Sequence, residues 1–254
     1  MNTRNLIVAL VCMLCAGAGN AQTKIIAHRG FWQTEGSAQN SVTALKRAAE
    51  AKLYGSEFDV QLTADGTVVV NHDDEIGGLT IGTTDYAKLK HLKLKNGETL
   101  PTLADYLKAG KALPHIQLIL EIKPHPTKAQ EDAIAAACVS MVKEYGMEKQ
   151  VEYISFSMNI CEQLARLAPD AEIAYLEGDV TPKAIKEKGL TGIDYEYKVF
   201  EKHPEWIREA HELGLKVNVW TVNREADMRK MAGLKVDYLT TDRPLEADKL
   251  LNAR

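Results

Sequence analysis

The chain has 254 residues, 45% of them apolar, which is enough for one well-buried core but too little for two large domains. Lys and Arg number 31 against 35 Asp and Glu, and the formal charge of −4 supplies no basic field for a nucleic acid partner. Ordinary glycine and proline contents, with no like-charge or low-complexity tract, exclude a disordered chain.

The first stretch reads as a targeting segment. Arg4 precedes the uncharged run Leu6 to Gly19, and Gly19-Asn20-Ala21 offers small residues where a signal peptidase cuts. The run is shorter than the roughly 18 to 20 apolar residues that span a bilayer. We therefore expect residues 1–21 to be a signal peptide, with cleavage near Ala21, and not a stable membrane anchor. The remaining chain, 22–254, would then be periplasmic or secreted. Cys12 and Cys15 fit a lipid attachment site poorly, because Val11 and Leu14 stand where a small residue is wanted. Cys138 shares a helical spacing with Ile134, Met141 and Tyr145, which predicts a buried apolar thiol. A bridge between Cys138 and Cys161 stays open at this point, as does the oligomeric state.

From Lys24 onward, short β-branched runs alternate with amphipathic helical stretches. Strands are predicted to begin near Lys24, Ser56, Ile116, Val151, Ala171, Thr191, Leu215 and Val236. Between them, Val42, Leu45, Ala49 and Leu53 form a helix face closed by Gly55, and Thr127 with Gln130 makes a capping box. Thr181-Pro182 and Asn223 begin two further helices, while Gly189, Gly214 and Gly233 sit where helices should stop. Eight such units, with no G-x-G-x-x-G after the first strand, predict a (β/α)8 TIM barrel in preference to an open doubly wound sheet. The interval from Ser56 to Ile116 is far longer than the others and marks an insertion after the second strand. Thr67 to Asn71 reads as a hairpin partner of that strand, and 74–100 as a loop-like insert overhanging the barrel mouth, where it would shape substrate choice.

The residues with chemical potential fall at or just past strand ends, where a barrel collects them at one mouth. They are His28-Arg29-Gly30, Glu57-x-Asp59, His72-Asp73, Glu121-x-Lys123 and Trp220. Residues two apart on a strand share a face, and Phe58 and Val60 must pack outward, so Glu57 and Asp59 point inward. Glu121 ends the apolar run Leu118-Ile119-Leu120, an unfavourable place for an unpaired charge. Three converging carboxylates repel one another unless a cation joins them, and all-oxygen ligands suit one divalent cation, Mg²⁺ or Ca²⁺, better than Zn²⁺. His28 and His72 are suited to acid and base work on a phosphorus-oxygen bond, and Arg29 and Lys123 supply fixed positive charge to a phosphate. His91, His115, His125, His203 and His211 lie in the insert, in loops or near helix ends, and read as solvated or capping groups. No G-x-S-x-G, H-E-x-x-H or P-loop pattern is present.

The ordered set Ile25-Ile26-Ala27-His28-Arg29-Gly30, Glu57-Phe58-Asp59-Val60-Gln61-Leu62-Thr63-Ala64-Asp65-Gly66 and Val68-Val69-Val70-Asn71-His72-Asp73 resembles the glycerophosphodiester phosphodiesterases. Glu121-Ile122-Lys123-Pro124, Val219-Trp220-Thr221-Val222-Asn223 and Val236-Asp237-Tyr238-Leu239-Thr240-Thr241-Asp242-Arg243-Pro244 extend the resemblance over the whole chain beyond the targeting segment. It implies a TIM barrel with an insertion after strand two, and metal-dependent hydrolysis of a small glycerophosphodiester to glycerol 3-phosphate and an alcohol. It also implies metal on Glu57, Asp59 and Glu121, acid and base work by His28 and His72, phosphate contacts from Arg29 and Lys123, and Trp220 against the glycerol. In the mechanism drawn for that family a glycerol hydroxyl attacks phosphorus, and a cyclic phosphate then opens with water. One departure is visible: where the family commonly carries Pro-Glu-Asn-Thr, this chain has Ala38-Gln39-Asn40-Ser41, so a neutral amide replaces a carboxylate. Two other readings compete. One is a phospholipase D-like or phosphoinositide-cleaving barrel acting on intact lipid; the other is a non-catalytic glycerophosphate-binding protein.

Overall fold

The computed structural model describes residues 22–252, so the expected signal peptide lies outside the described residues. In chain order the elements are β1 (Lys24–Ala27), α1 (Val42–Glu50), β2 (Gly55–Leu62), β3 (Val68–Val70), β4 (Glu75–Ile76), β5 (Leu79–Thr80), α2 (Tyr86–Leu89) and α3 (Leu103–Lys111). There follow β6 (Gln117–Ile122), α4 (Lys128–Tyr145), β7 (Val151–Ser155), α5 (Met158–Leu167), β8 (Ile173–Tyr175) and α6 (Pro182–Glu187). The chain ends with β9 (Gly192–Glu196), α7 (Tyr197–Lys202), α8 (Glu205–Glu212), β10 (Lys216–Trp220), α9 (Glu225–Gly233), β11 (Tyr238–Thr241) and α10 (Pro244–Asn252).

Parallel pairing runs from β1 through β2, β6, β7, β8, β9, β10 and β11, and β11 pairs back onto β1 with Lys24 opposite Tyr238 and Ala27 opposite Thr241. The sheet is therefore closed, a (β/α)8 TIM barrel whose eight strands begin within about two residues of the predicted starts. Alternation along each strand separates two apolar regions. Outward side chains pack under the helices: Phe58, for example, stacks on Tyr106 of α3 with ring centroids 4.1 Å apart. Inward side chains Ile26, Ile119, Ile154, Leu176 and Tyr238 fill the lumen.

Most predicted helix ends hold. Thr127 accepts a hydrogen bond from the Gln130 amide, although the Gln130 side chain takes the Thr127 hydroxyl and not its backbone N–H, so only half of the expected capping box forms. Thr181 caps α6 ahead of Pro182, and Gly189 and Gly214 take left-handed backbones just after α6 and α8. Three readings change. Gly233 lies inside α9 and Lys235 takes the left-handed turn, while Gly55 opens β2 instead of closing α1. Asn223 caps nothing, because its side chain is engaged with the end of β11. Cys138 and Cys161 are both free and fully buried, so no bridge joins them.

The insert also departs from expectation. β3 does pair antiparallel with β2, but residues 74–100 are not loop-like: they hold the β4–β5 hairpin, a 3-10 turn at Ile81–Thr83 and α2. Val69, Ile81, Leu89 and Leu100 form a separate small core beneath them, with Leu79, Tyr86 and Leu92 packed against it. Alternating apolar residues interrupted by Gly and Lys conceal such a short-strand cluster from any reading based on periodicity.

Gly30 shows how tightly the first loop is seated. Its φ is +77°, and a Cβ there would stand 2.6 Å from the Cβ of Ala44 on α1. Gly30→Ala combines a disfavoured backbone with a clash against a helix that cannot retreat, and is expected to destabilise the fold by about 2–4 kcal/mol in urea unfolding. The same change at Gly36, which also has a positive φ but open space around it, should cost about 1 kcal/mol.

Candidate active site

Strand register assembles the acidic cluster. On β2 the inward positions are Glu57, Asp59 and Gln61, and β6 aligns Glu121 directly beside Asp59. Glu57, Asp59 and Glu121 are 2%, 1% and 8% exposed, and each presents an oxygen within 4.8 Å of the others. Such a concentration of like charge away from water raises the free energy of the ionised forms. Burial, then the neighbouring Asp59 and Glu121 carboxylates, push the Glu57 carboxyl well above the usual range. Burial and Asp59 push Glu121 up to about 7. Asp59 moves the other way: burial opposes its ionisation, but the Lys123 ammonium, His72 and the Asn40 amide outweigh it.

Two cations partly balance the cluster. The Lys123 ammonium lies 2.8 Å from Asp59 and 2.7 Å from Glu121, and those two carboxylates hold it protonated against the effect of its own burial. The backbone N–H of Arg29, in a left-handed conformation with φ 55°, donates to Glu57 Oε2 at 2.6 Å. The Arg29 guanidinium stands 3.8 Å from Asp59 and donates to Gln39 Oε1 at 3.0 Å. Gln39 thus steers the arginine where a carboxylate would have neutralised it.

Glu57 Oε1 is buried without any hydrogen-bond partner. An unpartnered carboxyl oxygen beside two more carboxyl groups is a donor set that a hard cation would ionise and satisfy, so the residues fit a divalent ion bound through oxygen.

Around this cluster opens a cavity of about 120 Å³ lined by His28, Arg29, Glu57, His72, Glu121, Lys123 and Trp220, with Phe156, Leu176 and Asp194 among the other wall residues. Seven of the eight residues singled out from the sequence meet there, and Asp59 lies directly behind them. The two imidazoles are held alike: His28 Nδ1 is 2.8 Å from Asp242 and His72 Nδ1 is 2.7 Å from Asp73. In both rings Nε2 is the nitrogen not engaged by the carboxylate. His72 sits on a loop pinned by Gln61, whose amide nitrogen donates to the carbonyls of His72 at 3.1 Å and Asp73 at 2.7 Å. Burial lowers the His72 pKa. Trp220 donates its indole N–H to the Asp194 carbonyl at 2.9 Å and meets Phe156 edge to face, forming an apolar wall.

Asp242 and Asp194 escaped the sequence reading as site residues, whereas the Asn40-Ser41 pair reads in the sequence as the cap of the first helix, a reading Ser41 fulfils. Asp242 receives Asn223 Nδ2 at 2.7 Å and Trp32 Nε1 at 3.1 Å as well as facing His28; against the effect of burial, the His28 contact leads in holding its carboxyl down to about 2. Asn40, with φ 62°, brackets Asp59 by donating to its carboxylate at 2.8 Å and accepting its amide at 3.0 Å. Its neighbour Ser41 is the helix cap, accepting the Ala44 amide at 3.0 Å. Asp194 is fully buried in the cavity wall, and burial raises its carboxyl to about 8. The motif containing Asp242 and Asn223 was visible in the chain, but nothing in the spacing disclosed that the two meet. The insert supplies none of the cavity-lining residues, which corrects the expectation that it shapes the pocket directly.

Comparison with known proteins agrees with this geometry. The chain matches the glycerophosphoryl diester phosphodiesterase family over residues 28–246. A crystal structure of a glycerophosphodiester phosphodiesterase from Parabacteroides distasonis is 49% identical, superposes with a TM-score of 0.92 and shares 93% of this chain and 99% of its own. A glycerophosphodiester phosphodiesterase of Caldanaerobacter subterraneus is 29% identical over 242 residues, 88% of this chain and 95% of that one. A phosphodiesterase of Oleispira antarctica, solved with the product sn-glycerol-3-phosphate, is 23% identical with a TM-score of 0.80 over 91% of this chain and 98% of its own, and shares the fold.

Two outcomes are expected. Asp242→Asn removes the charge that fixes the His28 ring, and kcat should fall by on the order of 10²-fold or more while KM and circular dichroism stay near wild type. The second concerns pH. A buried carboxyl with a raised pKa stabilises the metal-free fold while protonated, and that stability is lost as pH climbs from about 4.5 through 7. A cation relieves the ionised state, so the Tm gain from saturating Mg²⁺ or Ca²⁺ should be larger at pH 8 than at pH 6. A gain equal at both would show carboxyls already ionised without metal.

Proposed function

Because the chain belongs to the glycerophosphoryl diester phosphodiesterase family, an enzyme that hydrolyses glycerophosphodiesters, we propose that its barrel-mouth residues divide that work as follows. Glu57, Asp59 and Glu121 hold one divalent cation, Mg²⁺ or Ca²⁺. Bound there, the ion would neutralise phosphate charge and raise the electrophilicity of phosphorus. Arg29 and Lys123 orient the phosphate oxygens, and Trp220 with Phe156 lies along the glycerol carbons. His28 and His72 exchange the protons of the attacking and departing oxygens through Nε2, with Asp242 and Asp73 stabilising each ring when it is charged. The products are glycerol 3-phosphate and the free alcohol.

The observation that carries this reading is the meeting of three buried carboxylates, two carboxylate-held imidazoles and two fixed cations around one small cavity. The imidazole pair favours turnover over ligand capture, since binding alone has no use for two titratable rings. A soluble, deacylated substrate is favoured over intact lipid for a separate reason. Leu245, at 50%, is the one large apolar side chain that stands exposed among the described residues, so no apolar patch of the kind that docks on lipid surrounds the cavity. The uncharged run behind Arg4 supports export to the periplasm or beyond, with cleavage near Ala21.

Glycerophosphocholine, glycerophosphoethanolamine and glycerophosphoglycerol are the compounds to assay, with glycerol 3-phosphate release followed under Mg²⁺ or Ca²⁺ before and after chelation. Release is expected from at least one, abolished by chelation and restored by the added ion. His28→Ala and His72→Ala should each lower kcat by on the order of 10²–10⁴-fold. Release that survives chelation, or either alanine variant at wild-type rate, would overturn the assignment.

A further inference from the structure

We propose that the tip of the insert acts on the metal centre at a distance, with Glu98 as a positioning residue for Asp59. The tip is a tight turn, Lys95-Asn96-Gly97-Glu98, closed by the Leu94 N–H to Glu98 carbonyl bond at 2.8 Å. It does not reach the cavity. Instead the Glu98 carboxylate straddles the start of α1, accepting the Val42 amide at 3.0 Å through Oε2 and the Thr43 amide at 3.3 Å through Oε1. Together with Ser41, which takes the Ala44 amide, it satisfies all of the first three unpaired N–H groups of that helix. Asn96 adds a second tie by donating to Glu98 at 2.7 Å and to the Gly36 carbonyl at 3.1 Å.

The helix start held in this way is the continuation of the loop that grips the carboxylates. Two residues before Val42 stands Asn40, whose amide group brackets Asp59 on both sides, and one further back is Gln39, which carries the Arg29 guanidinium. The Asn40 amide in turn donates to the Arg29 carbonyl at 3.0 Å, and the Arg29 amide donates to Glu57. Glu98 therefore anchors from outside the end of the loop whose Arg29 backbone meets Glu57 and whose Asn40 side chain meets Asp59 from inside. Asn40 takes a positive φ, which asparagine adopts more readily than other residues with a side chain, and its backbone is tied to the Arg29 carbonyl on one side and to the capped helix start on the other. With Glu98 gone, the helix start regains freedom, Asn40 relaxes, and Asp59 loses the partner that aims its second oxygen.

This inference rests on the carboxylate triad being the cation site, and the experiment separates the two. Mg²⁺ and Ca²⁺ binding would be measured by calorimetry on wild type, Glu98→Ala, Glu98→Gln and Thr181→Ala, with unfolding by urea on each. Thr181→Ala removes the cap of α6, whose hydrogen bond to the Ala184 amide involves none of the residues that touch the carboxylates, and serves as the reference for a plain loss of capping. Glu98→Ala should weaken cation binding about 5- to 20-fold, with kcat at saturating metal within about 2-fold of wild type. Glu98→Gln, which retains an acceptor, should fall between, and covers the case of an alanine variant that does not fold. Thr181→Ala should be destabilised comparably yet bind the cation as wild type does. Equal affinity in Glu98→Ala and wild type, or equal weakening in Thr181→Ala, would refute the positioning role while leaving the triad intact. If wild type binds neither ion, the triad reading and this inference fail together.

Discussion

Like charges gathered out of water set the terms for the rest of the molecule. Three carboxylates sharing one end of a barrel are unfavourable in isolation, and the surrounding loops are arranged to make the arrangement tolerable: Lys123 bridges two of them, the Arg29 backbone meets the third, and Asn40 fixes the central one. The balance is incomplete, with one oxygen of Glu57 unpartnered. That residual imbalance is the binding energy offered to a cation, and a fully compensated site would have none to give. Stability and function are opposed here in the ordinary way of active sites.

Much of this was legible in the chain. Alternation on Glu57-Phe58-Asp59-Val60 dictates that two acids face inward, because the intervening residues demand a helix to pack against, and Phe58 finds one in Tyr106. The barrel followed from counting strand-helix units, and its strand starts were readable because each is an apolar run ending in polar residues. What remained hidden shares a physical cause. Asp242 and His28 lie at opposite ends of the chain and meet only because the sheet closes, while Glu98 and Val42, 56 residues apart, meet only because the insert folds back on α1; no local pattern encodes either contact. Asn223 illustrates the point, since its position before a helix favours a capping role by local rules and a tertiary contact claims its side chain instead.

The insert is the second lesson. Its short strands and brief helix carry too little periodicity to announce themselves, yet they bury a core of their own, and the single carboxylate at the tip accepts two amides at the start of α1, where the first loop ends. A segment inserted after a barrel strand can therefore matter by bracing a neighbouring loop as well as by covering the mouth. Gln39 fits the same pattern: a neutral side chain in a place where charge was expected serves by holding Arg29 in line.

The seam of the barrel has a consequence for its birth. β1 completes its pairing only with β11, and α10 packs back against the first strand, Asn252 reaching the Thr23 carbonyl at 3.4 Å. The first strand to emerge from a ribosome must wait for the last before its outer edge is satisfied. Wherever the chain folds, β1 is left with an open hydrogen-bonding edge until the last strand arrives, an edge on which another unfinished chain can pair.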